Sequence, residues 1–308
     1  MGTPEFAKVV LDSIIKKDGL NVAAVYTQPD KPKGRGKKMT FPPVKERALE
    51  EDIPVYQPLK LRDEENVEQL KEINPDIIVV AAYGQILPVS ILEIPKYGCI
   101  NVHASLLPEY RGAAPVERAI LDGKKVTGVT TMYMAKGLDT GDMLEKAETE
   151  ILPTDTAETL LERLSVLGGE LILSTIEKLE NGTAKREKQD DEKSCYAKML
   201  TKEEGRMDFS RSAEELERSV RGYYPWPCAY TDLAGKNMKI LQVEVVENKD
   251  ENAAPGTVIE VTKKYFVVAC GEGALKIKKL QPEGKGAMDC AAFLNGNRME
   301  TGAVLGAN

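Results

Sequence analysis

The stretch from Pro75 to Ser105, PDIIVVAAYGQILPVSILEIPKYGCINVHAS, decides the fold. It opens on the continuous apolar run DIIVVAAYG and closes on a second strand-length run, GCINVHAS. Between them PVSILEIP has the length and spacing of a short helix. Apolar strands alternating with helices are what a parallel sheet covered on both faces requires, because a crossover must return over the sheet.

The same alternation continues on either side. NVAAVYTQ (21–28) and IPVYQP (53–58) read as strands, VKERALEED (44–52) and RDEENVEQLKEIN (62–74) as helices, and AAPVERAILDG (113–123) as a helix stopped by glycine. VTGVTTMYMAKG (126–137) and DMLEKAETEIL (142–152) are β-rich. A long helix follows from Thr154 or Asp155 to about Leu179, with 154–157 as its cap region. NGTAKREKQDDEKS (181–194) is charge-dense and lacks apolar periodicity, so it reads as a linker. Beyond it SAEELERSVRGYYP (212–225) is helical, and MKILQVEVVE, GTVIEVT, YFVVAC and LKIKKLQP alternate as strands. The fold class expected is therefore α/β, a doubly wound, mostly parallel sheet over residues 1–180. A linker over 181–202 and a small β-barrel, OB-like, over 203–308 complete it. One feature is out of place: a doubly wound sheet opens on a strand, whereas MGTPEFA reads as a loop entering a helix. A few strand residues are expected to be missing there, through truncation or a misassigned start.

Composition narrows the function classes. The 308 residues carry 42 Lys+Arg against 49 Asp+Glu, a net charge of −7, so RNA or an acidic surface can be engaged only locally. No apolar run reaches the roughly 18 residues of a membrane span, and the N-terminus has no secretory pattern, which makes the cytoplasm the expected compartment. Phe6 stands where a myristoylation motif needs Ser or Thr. The five cysteines are scattered and the only histidine is His103, which argues against a Cys/His zinc site and against any metal. Neither a phosphate loop nor a dinucleotide fingerprint occurs.

His103 sits at the carboxyl end of a predicted parallel strand, where open α/β sheets place their ligands. Asn101, two residues earlier, shares its face. Together they offer an oxyanion donor and a group that moves protons near neutral pH, although a satisfied structural histidine fits equally. GLDTGDM (137–143) brings Asp139, able to orient His103 and favour its imidazolium; a plain hairpin turn is the alternative. The basic run KPKGRGKK (31–38) puts five cations into eight residues after a strand end, as either a solvated loop or a polyanion contact. Lys276 and Lys278 alternate onto one face of LKIKKLQP, with Lys279 and Lys285 near them, again a phosphate patch or a solvated strand.

GTPEFA, TQPDKPKGRGKK, AAYGQILP, GCINVHASLLPEYRGAAP, GLDTGDM, KEEGRMDFS and YYPWPCAY, in this order along essentially the whole chain, resemble the methionyl-tRNA formyltransferase family. INVHASLLP and GLDTG alone are specific only to the wider formyltetrahydrofolate-using superfamily. The resemblance implies transfer of a formyl group from 10-formyltetrahydrofolate, a co-substrate, to the amino group of methionine on initiator tRNA, by a cytoplasmic monomer. It implies a catalytic set of Asn101, His103 and Asp139, and a folate-contact segment at Ser105, Leu106, Leu107 and Pro108. Gly84, Ile86 and Leu87 of AAYGQILP join the folate set as pocket walls, though the apolar ones fit a core as well. It also implies that the basic loop meets the tRNA acceptor end, with Arg35 as a wedge or specific contact and Lys31, Lys33, Lys37 and Lys38 on phosphates. A formyltransferase for a small amine, a formyltetrahydrofolate hydrolase and a non-enzymatic RNA-binding protein are the rivals; the last leaves Asn101, His103 and Asp139 idle.

Overall fold

The computed structural model describes residues 1–33, 38–250 and 252–306, without the side chains of Lys33 and Lys38. The elements up to residue 197 are α1 (Glu5–Ile15), β1 (Val25–Tyr26), β2 (Lys31–Lys33), β3 (Lys38–Thr40), α2 (Pro43–Glu50), β4 (Val55–Tyr56), α3 (Glu64–Ile73) and β5 (Ile78–Val80). They continue with α4 (Val89–Leu92), β6 (Cys99–His103), β7 (Arg111–Gly112), α5 (Pro115–Leu121), β8 (Val126–Tyr133), β9 (Met143–Glu150), α6 (Ala157–Glu180) and β10 (Tyr196–Ala197). Contacts divide the chain into two units. The first comprises Met1–Pro115, Val126–Glu150 and Leu161–Ala197, the second Val116–Lys125, Ile151–Leu160 and Lys198–Asn308.

The two apolar runs form the parallel pair at the centre of the first unit, with Val80 opposite Asn101. The sheet runs in the order β5-β6-β8-β9, and here it departs from the mostly parallel expectation: β8 lies antiparallel to both β6 and β9. The connection from β8 to β9 spans only 134–142, too short for the crossover that a parallel neighbour needs, so the sheet is mixed. β6 is buried along its whole length and paired on both edges. Helix α6 comes close to it because residues 168 and 169 are glycines. A Cβ on Gly168 would lie 2.9 Å from the Val102 side chain, and one on Gly169 2.2 Å from Ser13 Oγ of α1.

On the other flank, β1 and β4 form a separate parallel pair. The facing edges of β1 and β5 are joined at one end by Met1 and Gly2. Gly2 N–H donates to Tyr26 O at 2.9 Å, the Met1 amine to Val79 O at 2.7 Å, and Ala81 N–H to Met1 O at 3.0 Å. Below these bonds lies a cavity of about 570 Å³, walled by Val10, Leu11, Ala24, Val25, Ile78 and Ile176 among others. Where the sequence pattern calls for a strand, the sheet has two residues and this cavity.

The second unit holds α7 (Ala213–Gly222), β11 (Ala229–Leu233), β12 (Lys236–Val246), β13 (Val258–Val261), β14 (Phe266–Ala269), β15 (Ala274–Pro282), β16 (Met288–Asp289) and α8 (Cys290–Gly296). Its strands are antiparallel in the order β11-β12-β15-β14-β13, with β16 on β15. Among the described residues the outer strands β11 and β13 do not pair, so the expected barrel is an open sheet. Helix α7, started by a Ser212/Glu215 capping box, adds Leu216 and Val220 to the core formed by Ile240, Phe266, Ile277 and Leu280, and α8 adds Phe293. Helices covering one face supply the burial that closure would otherwise provide.

Candidate active site

Alternation along β6 puts Asn101 and His103 on one face at its carboxyl end, both buried at 8% and 6% exposure. Asp139, on the loop between β8 and β9, is brought to the same point. Its Oδ1 accepts a long 3.4 Å hydrogen bond from Asn101 Nδ2, and its Oδ2 lies 3.8 Å from His103 Nδ1. The backbone N–H of Gly112 donates to Asp139 Oδ2 at 2.9 Å. Thus the three residues implied to be catalytic converge from two segments separated by 36 positions.

The histidine is oriented from its other side. Its Nε2 lies 2.8 Å from the backbone oxygen of Tyr110. A carbonyl oxygen only accepts, so Nε2 carries hydrogen and Nδ1 is left as the nitrogen that binds and releases a proton beside Asp139. Tyr110 adopts a left-handed φ of +58°, Asp139 one of +51° and Gly112 one of +114°. A Cβ at Gly112 would fall 2.8 Å from Ala197 O and 2.6 Å from the Tyr196 ring, so this turn admits no side chain there.

The segment after His103 is held tightly. Ser105 Oγ donates to Glu109 O at 2.7 Å, Thr130 Oγ1 to Ser105 O at 2.7 Å, and Leu107 N–H to Thr130 Oγ1 at 3.1 Å. Ser105 and Leu107 are buried, Leu107 against Met132 and Met143, while Leu106 and Pro108 are half-buried. The Leu107–Pro108 peptide is cis. Gly84, exposed and with φ +84°, follows β5 and so lies on the same sheet edge as His103. Ile86 is 83% exposed, whereas Leu87 is buried with Leu61 and Ile91, which makes it a core residue.

The two ends of the basic run are paired: β2 and β3 are antiparallel, with Lys31 opposite Thr40. Lys31 is exposed. Arg35 and Lys37 lie outside the described residues, as do the side chains of Lys33 and Lys38. On β15, Lys276 and Lys278 share the face expected for them, and both reach Glu244 Oε2, at 3.6 and 2.5 Å. Lys276 also lies over the Tyr265 ring, 4.4 Å from its centroid. Glu244 therefore offsets part of the positive charge that the sequence displays, and the two lysines draw its carboxyl below the usual range.

Four groups of this site are given no role in the reading of the sequence: the Tyr110 carbonyl, the Gly112 N–H, Arg111 and Gln189. Gln189 Nε2 donates to the carbonyls of Asp139 and Gly141 at 2.7 and 2.8 Å, and its Oε1 accepts from Arg111 Nε at 2.9 Å. Two are backbone atoms, and Gln189 sits in a stretch whose charge density suggested a linker. Among the described residues no group of three or more His, Cys, Asp or Glu side chains is placed to hold a metal ion.

A buried Asn–His–Asp constellation at the carboxyl end of a mixed α/β sheet has the groups that a transfer reaction at a carbonyl requires, an amide donor and a proton-carrying imidazole. The chain belongs to the formyl transferase family: the formyl transferase model matches residues 1–176 and the model of the formyl transferase C-terminal domain residues 199–298. Within that family its relatives are methionyl-tRNA formyltransferases. The protein of that name from Lachnospira eligens is 50% identical over 310 residues, covering 99% of this chain and 98% of the relative. Those from Geobacter metallireducens (51% over 306 residues, 99% and 97%) and Bacillus subtilis (50% over 309 residues, 100% and 97%) are equally similar. Among solved structures, the fold matches an N-formyltransferase from Helicobacter canadensis in complex with folinic acid and dTDP-3-aminofucose, at a TM-score of 0.65 and 20% identity over 90% of this chain and 96% of that one. It also matches WlaRD, a sugar 3N-formyl transferase, at a TM-score of 0.64 and 20% identity over 92% and 97%.

Proposed function

We propose that this enzyme transfers the formyl group of 10-formyltetrahydrofolate to the α-amino group of methionyl initiator tRNA, and that Asn101, His103 and Asp139 carry the chemistry. The observation that carries the reading is the convergence of Asn101, His103 and Asp139 in a chain half identical to methionyl-tRNA formyltransferases along its whole length.

An α-amino group has a pKa of about 7.7–8.0, so much of it is neutral and nucleophilic near pH 7. The amine nitrogen bonds to the formyl carbon, and the formyl oxygen becomes an oxyanion. Asn101 Nδ2, already turned toward the site by Asp139, has a second hydrogen to donate to that oxygen. The new ammonium then loses a proton, the folate nitrogen gains one, and the bond from that nitrogen to the formyl carbon breaks. His103 Nδ1 is placed to relay this proton, because Nε2 is committed to Tyr110 O. Asp139, anchored on Gly112 N–H, holds its carboxylate beside the imidazole and keeps the ring oriented.

Ser105, Leu106, Leu107, Pro108, Gly84 and Ile86 are proposed to contact the folate. Lys31, Lys33, Arg35, Lys37 and Lys38 are proposed for the tRNA acceptor end, with Lys276, Lys278, Lys279 and Lys285 for its backbone. A cytoplasmic monomer is the setting that the composition and the resemblance favour. No described helix is long and apolar enough to cross a membrane. The discriminating experiment offers initiator methionyl-tRNA, elongator methionyl-tRNA, a small amino sugar and water as acceptors, and follows release of tetrahydrofolate. Fast turnover with initiator tRNA alone is the expected result. Equal turnover with water makes the protein a hydrolase, and turnover with the sugar alone makes it a small-amine enzyme.

A further inference from the structure

The segment that follows α6 is built into the site. Glu187 pairs with Met143 through two backbone bonds of 2.8 and 2.9 Å, which fixes the chain beside the start of β9. Two residues on, the Gln189 amide bonds the carbonyls of Asp139 and Gly141, closing the loop that carries Asp139, and takes the Nε–H of Arg111 on its oxygen. Arg111 is anchored in turn by Asp191 at 2.8 Å and is only 12% exposed. Its backbone N–H bonds Cys195 O at 2.9 Å, and Tyr110 N–H meets Cys195 Sγ at 3.1 Å.

These bonds form a ring around His103. Asp139 approaches Nδ1, Tyr110 O holds Nε2, and Gly112 N–H holds Asp139. One side chain, Gln189, ties the loop of Asp139 to Arg111, which stands between Tyr110 and Gly112 in sequence. The loop gains from such a tie, since Asp139 occupies a left-handed backbone conformation that is unfavourable outside glycine. Only an amide matches the three partners: two carbonyl oxygens require two N–H donors, and a guanidinium requires an acceptor.

We propose that Gln189, oriented by Arg111, is a positioning residue for formyl transfer that holds the Asp139 carboxylate in register with His103 Nδ1. The proposal rests on the catalytic assignment above, but its test does not depend on that assignment. His103 is the only histidine, so its ring gives a single imidazole signal whose titration can be followed by NMR without turnover. The charged and titratable groups on the elements about it include Asp139, Glu109, Tyr110, Arg111, Tyr133 and Cys195. Gln189→Met keeps the volume and removes every hydrogen bond. It is expected to lower the His103 titration midpoint in the same direction as Asp139→Asn, and the double variant is expected to lower it no further than Asp139→Asn alone. In the formylation assay kcat should fall about tenfold to a hundredfold, with both KM values within about threefold.

An unchanged titration in Gln189→Met beside a shifted one in Asp139→Asn overturns the proposal, even where kcat falls, because the loss is then merely structural. Additive shifts in the double variant overturn it too. Should Gln189→Met not fold, Arg111→Lys carries the test. It retains the charge for Asp191, loses the Nε–H to Gln189, and is expected to shift the midpoint the same way by less; no shift overturns the proposal. An inactive wild-type protein would refute the formylation reading alone and leave the titration result standing.

Discussion

The two flanks of the first unit's sheet are built to different standards. On one flank β6 is paired along both edges, buried throughout, and followed by a turn tied down through Ser105, Leu107 and Thr130. On the other, β1 and β5 face each other across a cavity of about 570 Å³ and are bridged at one end through Met1 and Gly2. The proposed chemistry sits on the first flank, where positions are fixed from two sides. A proton relay at Nδ1 tolerates little displacement, and a 1 Å error can cost about a hundredfold in rate. The open flank bears on stability and holds none of Asn101, His103 and Asp139. Activity and stability should therefore separate by flank.

The largest effect is expected at β6. His103→Ala should lower kcat by about a thousandfold, and Asn101→Ala by about 10²–10³, with the melting temperature changed little. Steady-state formylation checks both; a pure rise in KM for Asn101→Ala would make it a substrate-binding residue. Next comes Gly112→Ala, where the added Cβ meets Ala197 O and the Tyr196 ring at a φ of +114°. It should destabilise the protein by about 2–3 kcal/mol and slow turnover as the N–H leaves Asp139, as urea titration and kinetics would show.

The smallest effect on activity is expected across the cavity. Burial pulls the Met1 amine down to about 5 from its ordinary 8.0. The folded state thus binds this proton less readily than the unfolded state does. Stability from this group is full above pH 8 and is lost progressively toward pH 5. Acetylating Met1 keeps an N–H for Val79 O and removes the titration, so the modified protein should melt higher than the free amine below pH 8, with the gap widening toward pH 5. An appended tetrapeptide of β-branched apolar residues, paired with both strand edges, should raise the melting temperature further by filling the cavity. Neither change should alter kcat by more than about twofold. A large change in kcat would show that the two flanks are coupled.

Much of the site was legible because a strand has period two. Asn101 and His103 had to share a face, and an apolar parallel strand had to end at them. Asp139 was legible as a candidate in GLDTGDM, but its meeting with His103 was implied only by the resemblance, since no spacing rule brings the tip of a β8–β9 loop back to β6. The Tyr110 carbonyl and the Gly112 amide were not legible, because backbone groups act through turn geometry, and a tyrosine in a left-handed conformation leaves no trace in its letter. Gln189 was hidden by its neighbours: lysines and aspartates around it resemble a solvated linker, yet Glu187 pairs with Met143 and pulls the segment into the sheet. Leu87 shows the converse, an apolar residue equally suited to a pocket wall and to the core where it lies. The mixed direction of the sheet was missed because β-rich segments announce strands without announcing their partners. The open second sheet was missed because alternation does not reveal whether the outer strands meet.

The most direct measurement of the central claim is a pre-steady-state comparison of wild type and His103→Ala with initiator methionyl-tRNA and 10-formyltetrahydrofolate, following formyl-methionine and tetrahydrofolate together. The account predicts equal amounts of both products from the wild type, and a chemical step at least a hundredfold slower in the variant with tRNA binding preserved. A variant that formylates at the wild-type rate would contradict it.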